Sequence, residues 1–108
     1  MRWNSRSNKY GAKKTEVDGL RFDSQKEAMR WLELKKLESI GVITNLERQV
    51  SIPLHVAGVK VCTYRADFMY QMDGATIVED AKGYQTDTFK LKWKIGQALF
   101  PLYKWVIS

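Results

Sequence analysis

Three charged side chains crowd the end of one strand-like segment. In "ADFMYQMDGATIVEDAKG", Ala66 to Gly83, the apolar Ile77 and Val78 are followed at once by Glu79, Asp80 and, after Ala81, Lys82. Acids are depleted in strands, so their presence here asks for a reason. Asp73-Gly74 is a strong two-residue hairpin signal. With that turn, positions summing to 147 face each other: Met72 and Ala75, Tyr70 and Ile77, Phe68 and Glu79, and finally Asp67 and Asp80. Directly opposed residues hold their Cβ atoms roughly 4.5–5.5 Å apart. Because side chains alternate faces, Lys82 shares the face of Asp67 and Asp80, and Glu79 points the other way.

Two like charges opposed in a sheet destabilise it unless something compensates. A divalent cation does so, and Mg²⁺ commonly takes one or two protein carboxylates together with waters and substrate phosphate. A lysine on the same face can orient a water and offset charge on phosphorus. The alternative is a surface ion pair between Asp80 and Lys82, which accounts for the lysine but leaves the opposed acids unexplained.

Other chemistries lack their residues. His55 is the sole histidine and Cys62 the sole cysteine. This excludes an internal disulfide and disfavours a Cys/His zinc site and Ser-His or Cys-His nucleophilic catalysis. Any metal must be a hard cation held by carboxylates. No apolar run approaches the roughly 20 residues of a membrane span. The basic start "MRWNSRSNKY" has no apolar segment behind it, so no secretory signal is expected. A cytoplasmic location is expected, since a lone cysteine fits a reducing compartment.

The 108 residues carry a net charge of +6, which points to an anionic partner. Residues 1–14 hold Arg2, Arg6, Lys9, Lys13 and Lys14 and no acid. This flexible basic arm, spaced by Trp3 and Tyr10, either tracks a phosphate backbone or serves as a solubilising tail. Residues 15–108 read as one domain. Asp18-Gly19 marks a hairpin between "TEV" and "LRF". A helix is expected from Ser24 to Ile40, stopped by Gly41. Strand-forming sequence runs from Val42 to Lys82, with Pro53 and Gly58 as interruptions. A second helix fits Asp87 to Phe100, closed by Pro101, and "LYKWVIS" reads as a last strand. The order predicts an α+β (or α/β) fold, a central mixed sheet flanked by helices.

Asp67 and Asp80-Ala81-Lys82 resemble the signature of the PD-(D/E)XK nuclease superfamily, whose core is restriction-endonuclease-like. The segments "KYGAKKTEVDGLRFDSQKEA" and "YRADF…VEDAKG" resemble a small phage-borne branch of it. Ala66 stands where the signature has proline, and Asp80 where glutamate is more frequent. The resemblance implies Asp67 and Asp80 as ligands of Mg²⁺ (or Mn²⁺), the Ala81 carbonyl as a further ligand, Lys82 as the catalytic lysine and Glu27 as the helix-borne acid. Glu27 also fits a capping box with Ser24, although it projects between Trp31 and Leu34 toward an apolar side.

The implied activity is metal-dependent DNA endonucleolytic hydrolysis leaving a 5′-phosphate. The small size favours reading of DNA shape, such as a branch or Holliday junction, by a homodimer in phage recombination or genome processing. Arg65, Lys90 and Lys94, with Gln97 on the same helical stripe, are candidate backbone contacts. The alternative is a non-catalytic DNA-binding module on a nuclease-like scaffold.

Overall fold

A computed structural model describes residues 15–108; the arm residues Arg2, Arg6, Lys9, Lys13 and Lys14 lie outside them. The chain runs β1 (Thr15–Val17), β2 (Leu20–Phe22), α1 (Gln25–Ser39), β3 (Thr44–Val56), β4 (Val59–Met72), β5 (Ala75–Asp80), α2 (Asp87–Leu99) and β6 (Lys104–Ile107). β1 and β2 form a small ladder of their own, and the main sheet has the order β3-β4-β5-β6. Its first two pairings are antiparallel. α2 carries the chain across to β6, which lies parallel to β5 and makes the sheet mixed. The fold is α+β, as the order of sequence patterns predicts.

Turn chemistry sets these connections. Asp18-Gly19, Ala57-Gly58 and Asp73-Gly74 each have two consecutive positive φ values, which match the right-handed twist of the strands they join. Ser24 caps α1 by accepting from the Glu27 amide at 3.1 Å. At the other end, Gly41 (φ +82) closes α1 with bonds from Val42 N to the Leu37 carbonyl and from Gly41 N to the Glu38 carbonyl. Pro53 does not interrupt β3, contrary to the sequence expectation. β3 is an edge strand, where a missing N–H removes no ladder bond if it faces outward.

Adjacent residues of β5 build two separate cores. Ile77 joins Phe22, Ala28, Trp31, Leu34, Phe68 and Tyr70 beneath α1. Val78 joins Ile52, Leu54, Tyr64 and Ala66, against which Phe89 and Trp93 of α2 and Trp105 of β6 pack. The helices therefore cover opposite faces of the sheet. Strict alternation fails at one step of the long β3–β4 hairpin. Phe68 and Tyr70 belong to the α1 core, yet Ala66 and Tyr64 belong to the α2 core. Across the ladder, Arg48 stacks on Phe22 of the α1 core, while Val50, Ile52 and Leu54 belong to the α2 core. Between these positions stand Gln49 and Asp67, which the ladder skips, and Gln49 has φ +56. A left-handed residue twists the strand locally, and both strands exchange faces at this point.

Gly96 lets α2 approach β6. A Cβ there would stand 2.5 Å from Trp105 Cη2, inside any real contact distance. Trp105 is pinned by its indole N–H to the Phe100 carbonyl and by edge contacts with Trp93, so it cannot simply swing away. Gly96→Ala is expected to lose about 1–3 kcal/mol from overpacking and regain about 1 from helix propensity. The net loss should appear as a lower urea midpoint with an unchanged slope.

Candidate active site

β5 ends in two acids whose side chains are both fully buried, Glu79 and Asp80. Alternation sends them to opposite faces, and their surroundings differ completely. Glu79 enters the α1 layer and receives Arg30 Nε at 2.5 Å, Arg30 Nη2 at 3.1 Å and the Tyr70 hydroxyl at 2.6 Å. Burial alone would raise its pKa, but these donors overcome it and hold the carboxyl below the usual range. Burial and the same carboxylate push the Tyr70 hydroxyl up to about 12. Glu79 is thus a satisfied structural acid, which agrees with its expected orientation away from Lys82.

Asp80 has no such set. Neither carboxylate oxygen has a hydrogen-bond partner. The Lys82 ammonium lies 3.6 Å from Oδ1, and the Asp67 amide approaches without closing a bond. Burial is the leading cause that pushes the Asp80 carboxyl up to about 6. Lys82 keeps a third of its side chain exposed and rests its ammonium 5.1 Å from the Phe89 ring centre of α2. Its carbonyl accepts from Lys26 Nζ at 3.2 Å, so both helices grip the strand exit.

The expected register holds from Met72–Ala75 to Phe68–Glu79, where the ladder ends. Asp67 and Asp80 are therefore not a ladder pair. Asp67 turns Oδ2 instead to the Ala81 amide, at 2.9 Å. Burial raises the Asp67 pKa, with the Ala81 amide and Lys82 opposing. Arg65 pairs with Ser51 of β3, and on its other side the β4–β5 ladder does not reach it. It is exposed and near enough to Asp67 to lower its pKa.

Glu27 is no capping acid. Its amide serves the Ser24 cap, while its carboxyl is buried inward and accepts from Gln49 Nε2 at 2.8 Å. Burial first, then Asp67 and Asp23, push it up to about 7. Gln49, Asp23 and Arg48, which opposes that rise, are residues that sequence reasoning missed. A glutamine in an ordinary strand run carries no signal of its own. On α2, Lys90, Lys94 and Gln97 are exposed as expected, whereas the intervening Lys92 bonds to the Thr63 carbonyl at 3.0 Å.

Among the described residues, no three His, Cys, Asp or Glu side chains form a preassembled metal-holding group. Glu27 is tied to Gln49 and Asp67 to the Ala81 amide. A magnesium ion needs only one or two protein carboxylates, however, and the two oxygens of Asp80 are hard donors without a hydrogen-bond partner. The donor set fits such an ion. No described helix is long and apolar enough to cross a membrane.

Residues 7–108 match a family described as a protein of unknown function, DUF1064, and the chain belongs to that family. Compared with curated proteins and with solved structures, the chain matched none.

These pKa shifts set an expected pH dependence. Folded Glu27 and Asp80 keep protons to about pH 7 and about pH 6, whereas unfolded carboxyls release theirs near pH 4. Between these values the native state binds more protons, so stability is greatest at the acid end and falls as pH rises. Glu79 acts oppositely, and its contribution fades only as pH falls through its depressed pKa. The metal-free protein should therefore melt higher at pH 5 than at pH 8 in calorimetry, with a smaller difference for Asp80→Asn. Arg30→Ala should cost about 3 kcal/mol at neutral pH, because it strips a buried acid of its cation.

Proposed function

We propose that this member of a family of unknown function is a divalent-metal-dependent DNA endonuclease. The observation that carries the reading is the contrast at the end of β5. Two adjacent carboxylates are equally buried, Glu79 with three donor bonds and Asp80 with none. A buried acid without hydrogen bonds is costly, and a site that keeps one beside a partly exposed lysine is suited to bind a cation when substrate arrives. The resemblance of Asp67 and Asp80-Ala81-Lys82 to the PD-(D/E)XK signature supports the same assignment.

Asp80, Asp67 and the Ala81 carbonyl would hold Mg²⁺ or Mn²⁺, with Glu27 completing the set. When bound, such an ion supplies Lewis acidity and lowers the pKa of water. Lys82, its ammonium poised over Phe89 and 3.6 Å from Asp80, is placed to orient a water or to offset charge on phosphorus. Water adds to phosphorus, the P–O3′ bond breaks, and the 3′ oxygen leaves with a proton. The exposed Arg65, Lys90 and Lys94 hold the backbone with little sequence discrimination, together with the basic arm. The domain has little room for a base-reading element, so we assign its selectivity to DNA shape, branched DNA in particular, acted on by a homodimer. Recombination or genome processing in a phage fits that activity.

The test is a cleavage gel with linear duplex, supercoiled plasmid, single strand and a synthetic four-way junction, in Mg²⁺ or EDTA. The native protein should cut only with metal, and junction DNA best. Asp80→Asn and Lys82→Ala should each lower the rate by about 10²–10³-fold. Binding without cutting in either Mg²⁺ or Mn²⁺ would favour a non-catalytic DNA-binding module.

A further inference from the structure

Gln49 occupies the step where the β3–β4 ladder lapses without a shift of register. Its φ of +56 is a conformation that costs a non-glycine residue about 1–2 kcal/mol. Three other non-glycine residues with positive φ, Asp18, Ala57 and Asp73, sit in two-residue turns beside glycine, and Asn45 lies at a register shift near the start of β3. Gln49 differs from these. It stands inside a long strand, in the ladder gap it shares with Asp67, at the step where both strands exchange faces. Glycine or asparagine would adopt this backbone more readily. What the glutamine adds is reach. Its side-chain amide donates to Oε2 of Glu27 at 2.8 Å. Backbone strain that aims one side chain at a candidate acid is the kind that accompanies function.

We infer that Gln49 is a positioning residue of the active site, whose strained backbone aims its amide at Glu27 and orients that carboxyl beside Asp67. The assignment rests on the nuclease reading. Glu27 faces Asp67, Asp23, Arg48 and Gln49, and among these only Gln49 has a hydrogen bond to its carboxyl. The bond to Oε2 fixes the orientation in which the Glu27 carboxyl is held. Outer partners of this kind typically set metal affinity by about 10–100-fold.

The experiment is Mn²⁺ titration by isothermal calorimetry without DNA, with melting curves and cleavage kinetics on the same proteins. Gln49→Gly removes the amide and relieves the backbone. It should weaken Mn²⁺ binding by about 10–100-fold, while the melting temperature stays within about 4 °C of native. It should lower kcat and leave KM for DNA unchanged. Gln49→Asn tolerates the same backbone but falls one methylene short of Glu27, and it should show the same loss. The double variant Glu27→Gln/Gln49→Gly should bind Mn²⁺ no more weakly than Glu27→Gln alone, because Gln49 acts through Glu27.

Native affinity in Gln49→Gly would overturn the assignment, as would additive losses in the double variant. Collapse of both Gln49 variants would also overturn it, since the residue would then be a structural one. If the native chain itself binds no Mn²⁺ and cuts nothing, the nuclease reading falls and takes this assignment with it. Native binding with unaffected Gln49 variants removes this assignment alone.

Discussion

The constraint on which the rest depends is the burial of two consecutive acids at the end of one central strand. A strand cannot send neighbouring side chains to the same face, so Glu79 and Asp80 need two different solutions. On the α1 face, Arg30 and Tyr70 supply every bond that Glu79 requires. That demand explains a buried ion pair in a layer otherwise filled by Trp31, Leu34 and Phe68. On the α2 face the carboxylate has a lysine beside it but no hydrogen bond. The sheet, the two helix layers and the parallel strand β6 beside β5 serve to hold that arrangement in place.

The unsatisfied charge is not isolated. Glu27, Asp67 and Asp80 all titrate above their ordinary range, and burial is the first cause in each case. Their surroundings nevertheless leave each acid a different degree of freedom. Asp67 is anchored by an amide, Glu27 by a side chain from a strained strand, and Asp80 by nothing that completes its bonding. In the proposed nuclease, this gradient would leave Asp80 to meet the incoming cation first. Part of the stability of the metal-free chain is then given up at the site, as strained and unpaired groups at functional positions generally require.

The exchange of faces at Gln49 and Asp67 gives the site its location. Elsewhere a sheet separates its two sides, and an acid from α1 could not approach a lysine that rests on α2. Where the alternation lapses, Glu27 from one layer and Lys82 from the other both come into electrostatic range of Asp67. The β4–β5 ladder stops beside this lapse, one pair short of the two aspartates.

Local chemistry made much of this legible in the sequence. The Asp18-Gly19 and Asp73-Gly74 turns, the Ser24 cap, the Gly41 stop and the hairpin register through Phe68–Glu79 follow from short-range φ preferences and period-two alternation, whereas Gly58 reads in the sequence only as an interruption and not as the turn between β3 and β4. The candidate residues Asp67, Asp80 and Lys82 were picked out by the same hairpin register, but the direct Asp67–Asp80 opposition it predicts is absent, because the ladder ends at Phe68–Glu79 and Asp67 turns to the Ala81 amide. Tertiary structure decided the rest. That Glu79 is satisfied and Asp80 is not depends on Arg30 and Tyr70 arriving from distant positions. Glu27 turns inward rather than back to its own cap and meets Gln49 there, whose left-handed backbone no local preference of glutamine announces. Bond satisfaction and strain are properties of the assembled layers, and no spacing of residues along the chain encodes them directly.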